Sequence, residues 1–166
     1  MKKTLFVIML LFIANMGCKK MTDTDRLCAC SPISYPSLNL VVKSAAETDL
    51  LDSKNAGSFA KEQIQVYYKD ANGNNKAIPF HIRPPFSFDK EEFKFNQLVV
   101  PEIFAISKNI DKFYLKLGDQ TPLELKVQFS ATTGKFEKLL IDGKEATFET
   151  GKVANYIHGG IFYLVK

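Results

Sequence analysis

The chain has 166 residues, 46% of them apolar, with 22 basic and 18 acidic side chains and a formal net charge of +4. Setting aside residues 1–17, which hold two lysines and no acids, leaves 149 residues with 20 basic and 18 acidic side chains, formally +2. That length suits one domain with its own core, and the near-neutral surface, without a basic stripe interleaved with aromatics, excludes a nucleic-acid partner.

Lys2 and Lys3 precede ten apolar residues, Leu5 to Ala14, the positive and hydrophobic regions of a secretory signal. Ten are too few to anchor the chain as a helix, because crossing a bilayer takes about 20. Gly17-Cys18 follows closely and resembles the lipobox of bacterial lipoproteins, although Asn15 stands where such signals usually carry leucine. In those proteins the signal is cleaved before a cysteine whose thiol carries diacylglycerol. The stretch "LCAC", Leu27 to Cys30, also resembles a lipobox, but Lys19, Lys20, Asp23, Asp25 and Arg26 stand between it and the apolar run. Those charges cannot enter the bilayer beside the signal. The expectation is therefore a signal peptide over 1–17, cleaved between Gly17 and Cys18, with Cys18 lipidated. At about 0.8 kcal/mol per buried methylene, one acyl chain holds marginally and the two or three on such a cysteine hold firmly. The implied address is the bacterial outer membrane, facing the periplasm or the cell surface. Lys20 with Asp23 and Asp25 loosely resembles a surface-export signal.

Cys28 and Cys30 are separated by one residue, a spacing that strains a direct disulfide and matches neither C-x-x-C nor a zinc site. A local or intermolecular disulfide and unpaired thiols both remain open. Residues 18–37 are polar, contain Pro32 and Pro36, and show no periodicity, as expected of a lipidated tether.

The domain is expected over 38–166. "LNLVVK" sets Leu38, Leu40 and Val42 against Asn39, Val41 and Lys43, the period of a half-buried strand. "IQVYYK" repeats it, "DANGNN" (70–75) predicts a turn, and "KAIPFHI" returns with Ile78, Phe80 and Ile82. Pro79 cannot donate to a ladder, which puts this strand at an edge or a bulge. "RPPFSFDKEE" breaks the chain, and "FKFNQLVV" changes face between Phe95 and Leu98. Residues 103–117 fit a helix face through Ile106, Ile110, Phe113 and Leu117 or a strand through Phe113, Leu115 and Leu117, and the clear strands on both sides favour a strand over 113–117. "LELKVQF" (123–129) alternates without fault, and Asp142-Gly143 predicts a two-residue hairpin. "ATFE" and "IFYLVK" close the chain. Eight or nine short strands without a long helix predict an all-β fold: a single antiparallel β-sandwich, immunoglobulin-like, filled by the twelve phenylalanines that follow the signal.

"LNLVVKSAAETDLLDSKNAGSFAKEQIQVYYKDANG" and, later, "FYLKLGDQTPLELKVQF…KLLIDGK" resemble small lipoproteins of Bacteroidetes-type bacteria. Asp49, Leu50, Leu51, Gly57, Ile64, Asp142 and Gly143 carry the likeness. It implies an envelope address and a β-sandwich, and brings no catalytic mechanism with it.

Candidate sites are few. Glu47, Asp49, Asp52 and Asn55 offer oxygen ligands for calcium, yet lack glycine-fixed ligand spacing, so a solvated acidic loop is the simpler account. "DANGN" matches three EF-hand positions through Asp70, Asn72 and Asn74, but has Asn75 for the glycine and His81 for the glutamate. His81 belongs to a surface and His158 to a turn before Gly159-Gly160; Glu91-Glu92 diverge along the chain. Without a nucleophile, metal or phosphate motif, no enzyme and no cofactor are expected. What remains is a lipid-anchored binding module for an envelope protein or glycan, Tyr67, Tyr68 and Tyr114 being candidate aromatic platforms in a chain without tryptophan. Alternatives are an assembly lipoprotein that uses strand edges and, more remotely, a glycan-binding accessory domain of a hydrolase.

Overall fold

The computed structural model describes residues 35–130 and 135–166. Gly17, Cys18, Cys28 and Cys30 lie outside them. The described chain is an all-β sandwich of short strands. A five-stranded sheet runs in the order β12 (Thr147–Phe148), β13 (Phe162–Val165), β1 (Leu38–Lys43), β7 (Gln97–Val100), β4 (His81–Arg83). A six-stranded sheet runs β11 (Lys144–Glu145), β10 (Phe136–Ile141), β9 (Leu123–Phe129), β8 (Phe113–Leu117), β2 (Ile64–Lys69), β3 (Asn75–Ala77). β5 (Phe86–Phe88) and β6 (Glu91–Phe93) form a separate hairpin. Two short helices, α1 (Ile103–Ile106) and α2 (Lys152–Tyr156), complete the domain. No helix among the described residues is long and apolar enough to cross a membrane.

The core lies between the two sheets. Leu38, Leu40, Val42, Leu98 and Val100 from one meet Ile64, Val66, Phe113, Leu115 and Leu125 from the other. Phe136 and Phe162 close the gap with ring centroids 6.1 Å apart. The six-stranded sheet keeps its other face in water, and β9 shows why its alternation is so regular: Leu125 is buried, Val127 packs on the core, and Lys126 turns outward. In β10 the apolar residues Phe136, Leu139 and Ile141 break the two-residue period, and a register shift between Phe136 and Lys138 restores their common face. Asp142 (φ 49°) and Gly143 (φ 77°) both adopt the left-handed conformation that the β10–β11 turn requires.

Three departures from the sequence pattern matter for the site. First, β1 is buried on both faces rather than half-buried. Val41 sits in a second apolar cluster with Phe93, Val153 and Ile161, beneath a cap made by the β5–β6 hairpin and α2. Second, the segment expected as one strand around Pro79 is two edge strands. β3 ends one side of the six-stranded sheet and β4 one side of the five-stranded sheet, and the chain crosses between them at Ile78–Phe80. A residue without an N–H suits a crossing that no ladder spans. Third, the described residues form thirteen strands, and one pair among them, β1 with β13, is parallel, Leu40 facing Phe162. These strands come from distant parts of the chain, so no hairpin dictates their direction. At the start of the domain, Tyr35 stacks on Phe104 at 5.6 Å and Pro36 is buried, so residues 35–37, expected in the tether, belong to the folded unit.

Candidate functional site

The carboxylates considered for calcium do not converge. Asp49 is nearly buried; its Oδ1 accepts from Leu51 N–H at 2.8 Å and its Oδ2 from the backbone and side-chain N–H of Asn96 at 2.6 and 2.8 Å. Glu47 pairs with Lys43 at 2.7 Å, and Asp52 accepts from Lys54 N–H. Asn55 Nδ2 donates to the Asp49 carbonyl. Among the described residues no three His, Cys, Asp or Glu side chains are grouped to hold a metal. Asp49 is a staple between the β1–β2 loop and the β6–β7 link, which explains the Asp-Leu-Leu stretch: the carboxylate fixes the loop while Leu50 and Leu51 enter the core. Asp70 likewise serves a turn, its Oδ1 accepting from Asn72 and Asn74 N–H.

The aromatic residues singled out in the six-stranded sheet are largely spent internally. Tyr67 stacks on Tyr114 at 5.3 Å but is itself buried, and Tyr68 packs on the core. Glu91 pairs with Lys152, and His81 is exposed on edge strand β4.

A cleft of about 610 Å³ opens where the cap meets the edge of the five-stranded sheet. Four separate segments build it: the lead into β1 supplies Tyr35 and Ser37, β4 supplies Arg83, β5 supplies Phe86 and Ser87, and the end of α2 supplies Tyr156, Ile157 and His158. Pro84-Pro85 turns the chain from β4 into β5, which brings Arg83 and Phe86 onto one wall. Glu149 sets the start of α2: one carboxylate oxygen accepts from Gly151 N–H at 2.7 Å, and the other accepts from the Tyr163 hydroxyl. Burial first, and then that bond to Glu149, push the Tyr163 phenol well above its ordinary pKa, so it remains a donor. At the other end, Gly159 (φ 109°) runs so close to Ser37 that a Cβ would lie 2.3 Å from its carbonyl oxygen. Only glycine permits that approach, which leaves His158 at the mouth of the cleft.

Arg83 is the chief polar feature. It is half-buried, its Nη1 donates to Asn39 Oδ1 over a long 3.4 Å, and no described carboxylate pairs with it. Burial lowers its pKa from the ordinary value, and the Tyr156 phenol opposes that shift; an arginine stays charged regardless. Asn39 is fully buried and held by Nδ2 donating to the carbonyls of Gly160 at 2.8 Å and Ser37 at 3.0 Å. The Ser37 hydroxyl reaches Asn39 Oδ1 at 3.5 Å, and His158 hydrogen-bonds neither cleft serine. Tyr156 stacks on Phe88 at 4.3 Å and is still 58% exposed.

Sequence reasoning assigned His158 to a turn and missed Arg83 and Tyr156 as site residues. Arg83 carried one usable signal: it and Arg26 are the only arginines among 22 basic side chains, and it stands beside a proline pair and a phenylalanine. No protein-family model, curated protein or solved structure matches this chain.

Proposed function

We propose that this chain is a lipid-anchored binding module of the bacterial cell envelope, without catalytic activity, that engages its ligand in the cleft around Arg83. Anchoring rests on the lipobox-like Gly17-Cys18 and on the resemblance to Bacteroidetes-type lipoproteins. The observation that carries the binding role is the unpaired guanidinium of Arg83 in the wall of a cleft with exposed aromatic rings. Recognition sites commonly combine an aromatic lining with a few fixed polar groups in this way.

Assembly through strand edges is the weaker alternative, because the edges are blunt. β3 and β4 are three residues long, β11 and β12 two, and lysines stand on β3 and β11. Short, lysine-bearing edges are how sheets avoid adding foreign strands. The test is to titrate isotope-labelled residues 19–166 with solubilised envelope polysaccharide and protein fractions while recording amide spectra. Shifts centred on the amides of Arg83, Phe86, Ser87 and residues 156–158 are expected. Shifts along β3, β11 or β12 with rising molecular mass would establish assembly instead, and silence to every fraction would overturn the binding role.

A further inference from the structure

We propose that the cleft takes an acidic saccharide, with Arg83 holding the sugar carboxylate, the serines meeting hydroxyls, and Tyr156 lying against the ring. This rests on the binding-module reading and names its ligand class.

The charge of the lining comes first. Arg83 and the exposed His158 stand in the wall, and no carboxylate does. The fork of a guanidinium matches a carboxylate in two parallel bonds, which a lysine cannot do. Arg83 is the only arginine of the described residues. Half-buried without an anion, it has lost part of its hydration and gained only one long bond in return. A carboxylate from outside supplies the missing partner.

Polar capacity beside Arg83 also exceeds what the chain uses. Gln97 stands directly across the β4–β7 pair from Arg83, is fully buried, and finds a hydrogen-bond partner for neither amide atom. Asn39 is oriented by its own two donated bonds, so its Oδ1 is held toward the guanidinium and steadies it. Such a fixed arrangement costs little further ordering when a ligand arrives.

The remaining lining decides between sugar and peptide. Tyr156 and Tyr35 are 58% and 52% exposed, and flat rings of this kind present an apolar face with a polar edge. Ser37 and Ser87 add hydroxyls that both donate and accept. An acidic peptide would gain its affinity by pairing with a backbone edge, but β4 ends at Arg83 and Pro84-Pro85 follow with no N–H to offer. The volume of about 610 Å³ falls within the roughly 300–1,000 Å³ of small-ligand sites and holds a short oligosaccharide.

The experiment is calorimetry and amide-shift mapping on residues 19–166, in low and moderate salt. The probes are a galacturonate trisaccharide, a hyaluronate tetrasaccharide and sialyllactose, together with carboxyl-reduced forms of each and a glutamate-rich peptide. At least one acidic sugar should bind and shift the amides of Arg83, Phe86, Ser87 and residues 156–158. Its reduced form should bind at least tenfold more weakly, and Arg83→Gln, checked for folding by its amide spectrum, should lose at least tenfold. Arg83→Lys should not restore binding, and Tyr156→Ala should lose several-fold. Equal binding of the reduced sugar to the wild-type protein would overturn the proposal even if every variant misfolded. So would full affinity in Arg83→Gln, preference for the peptide, or no binding of any acidic sugar. If envelope fractions shift the cleft while none of these sugars does, the ligand class is wrong and the binding module stands; silence to both overturns both.

Discussion

Replacing Asp49 with alanine removes three hydrogen bonds at once, and their surroundings set the cost. Leu51 is buried, so its N–H, now bonded to Oδ1 at 2.8 Å, would have no acceptor and little access to water. An unsatisfied buried donor costs about 1–3 kcal/mol. Asn96 is only partly buried, so water can replace part of what Oδ2 gives its two N–H groups, at a loss of roughly 1 kcal/mol. The expected total is about 2–4 kcal/mol, a large share of the roughly 5–15 kcal/mol that holds a typical domain together. Urea unfolding of residues 19–166, followed by far-UV circular dichroism, reads this directly, with the slope unchanged if only the native state is weakened. Asp52→Ala is the internal control. Its carboxylate makes one exposed bond, to Lys54 N–H at 3.0 Å, and should cost no more than about 1 kcal/mol. Millimolar calcium should move neither midpoint. A loss below about 1 kcal/mol in Asp49→Ala, or an equal loss in Asp52→Ala, would refute the staple.

In β9, Leu125→Ala should cost about 2–5 kcal/mol and Lys126→Ala almost nothing, measured in the same urea assay, because one side chain fills the core and the other makes only a solvent-accessible pair with Glu124 at 3.6 Å. Asp70 is held below its ordinary pKa, first by Asn74 N–H, with desolvation next and opposing, and then by Asn72 N–H and Lys76. A depressed folded-state pKa contributes stability that is present above the unfolded value of 3.8 and lost as pH falls through the folded one. The stability advantage of wild type over Asp70→Asn should therefore shrink in urea titrations taken from pH 7 to below pH 3.8. Labelled palmitate should follow the full-length protein expressed in a bacterium, and Cys18→Ala should abolish the label; label that survives there but vanishes in Cys30→Ala would move the lipidation site.

The strands with one covered face were legible, because in Phe113–Leu117 the two-residue period of side chains is also the period of burial. β1 was harder. Asn39 looks like a solvent-facing residue in a one-dimensional pattern, but its amide is satisfied by the carbonyls of Ser37 and Gly160, and it is buried beside Val41. The cap was not legible at all. Its hairpin turns at Asp89 (φ 45°) and Lys90 (φ 68°), left-handed positions without the glycine that usually marks them, inside a proline-led stretch that reads as loop. The cleft inherits that obscurity. Its walls come from four segments that only the covered face of the five-stranded sheet brings together. No local spacing encodes such a meeting, whereas turns such as Asp142-Gly143 are written in adjacent residues.

The parallel pairing of β1 with β13 bears on the order in which the fold can assemble. β1 occupies the middle of its sheet, and one of its two neighbours is the last strand of the sequence, Leu40 lying beside Phe162 and Lys43 beside Val165. That ladder closes only once residues 162–165 have been synthesised, so the centre of the sheet forms after most of the described domain is available. Contacts between distant parts of a chain slow folding, because the loop must be closed before the contacts reward it. The same geometry makes β13 intolerant of deletion. Loss of Phe162–Val165 would bare one side of β1 from Leu40 to Lys43 and withdraw Phe162 from the core, turning a protected interior strand into an adhesive one.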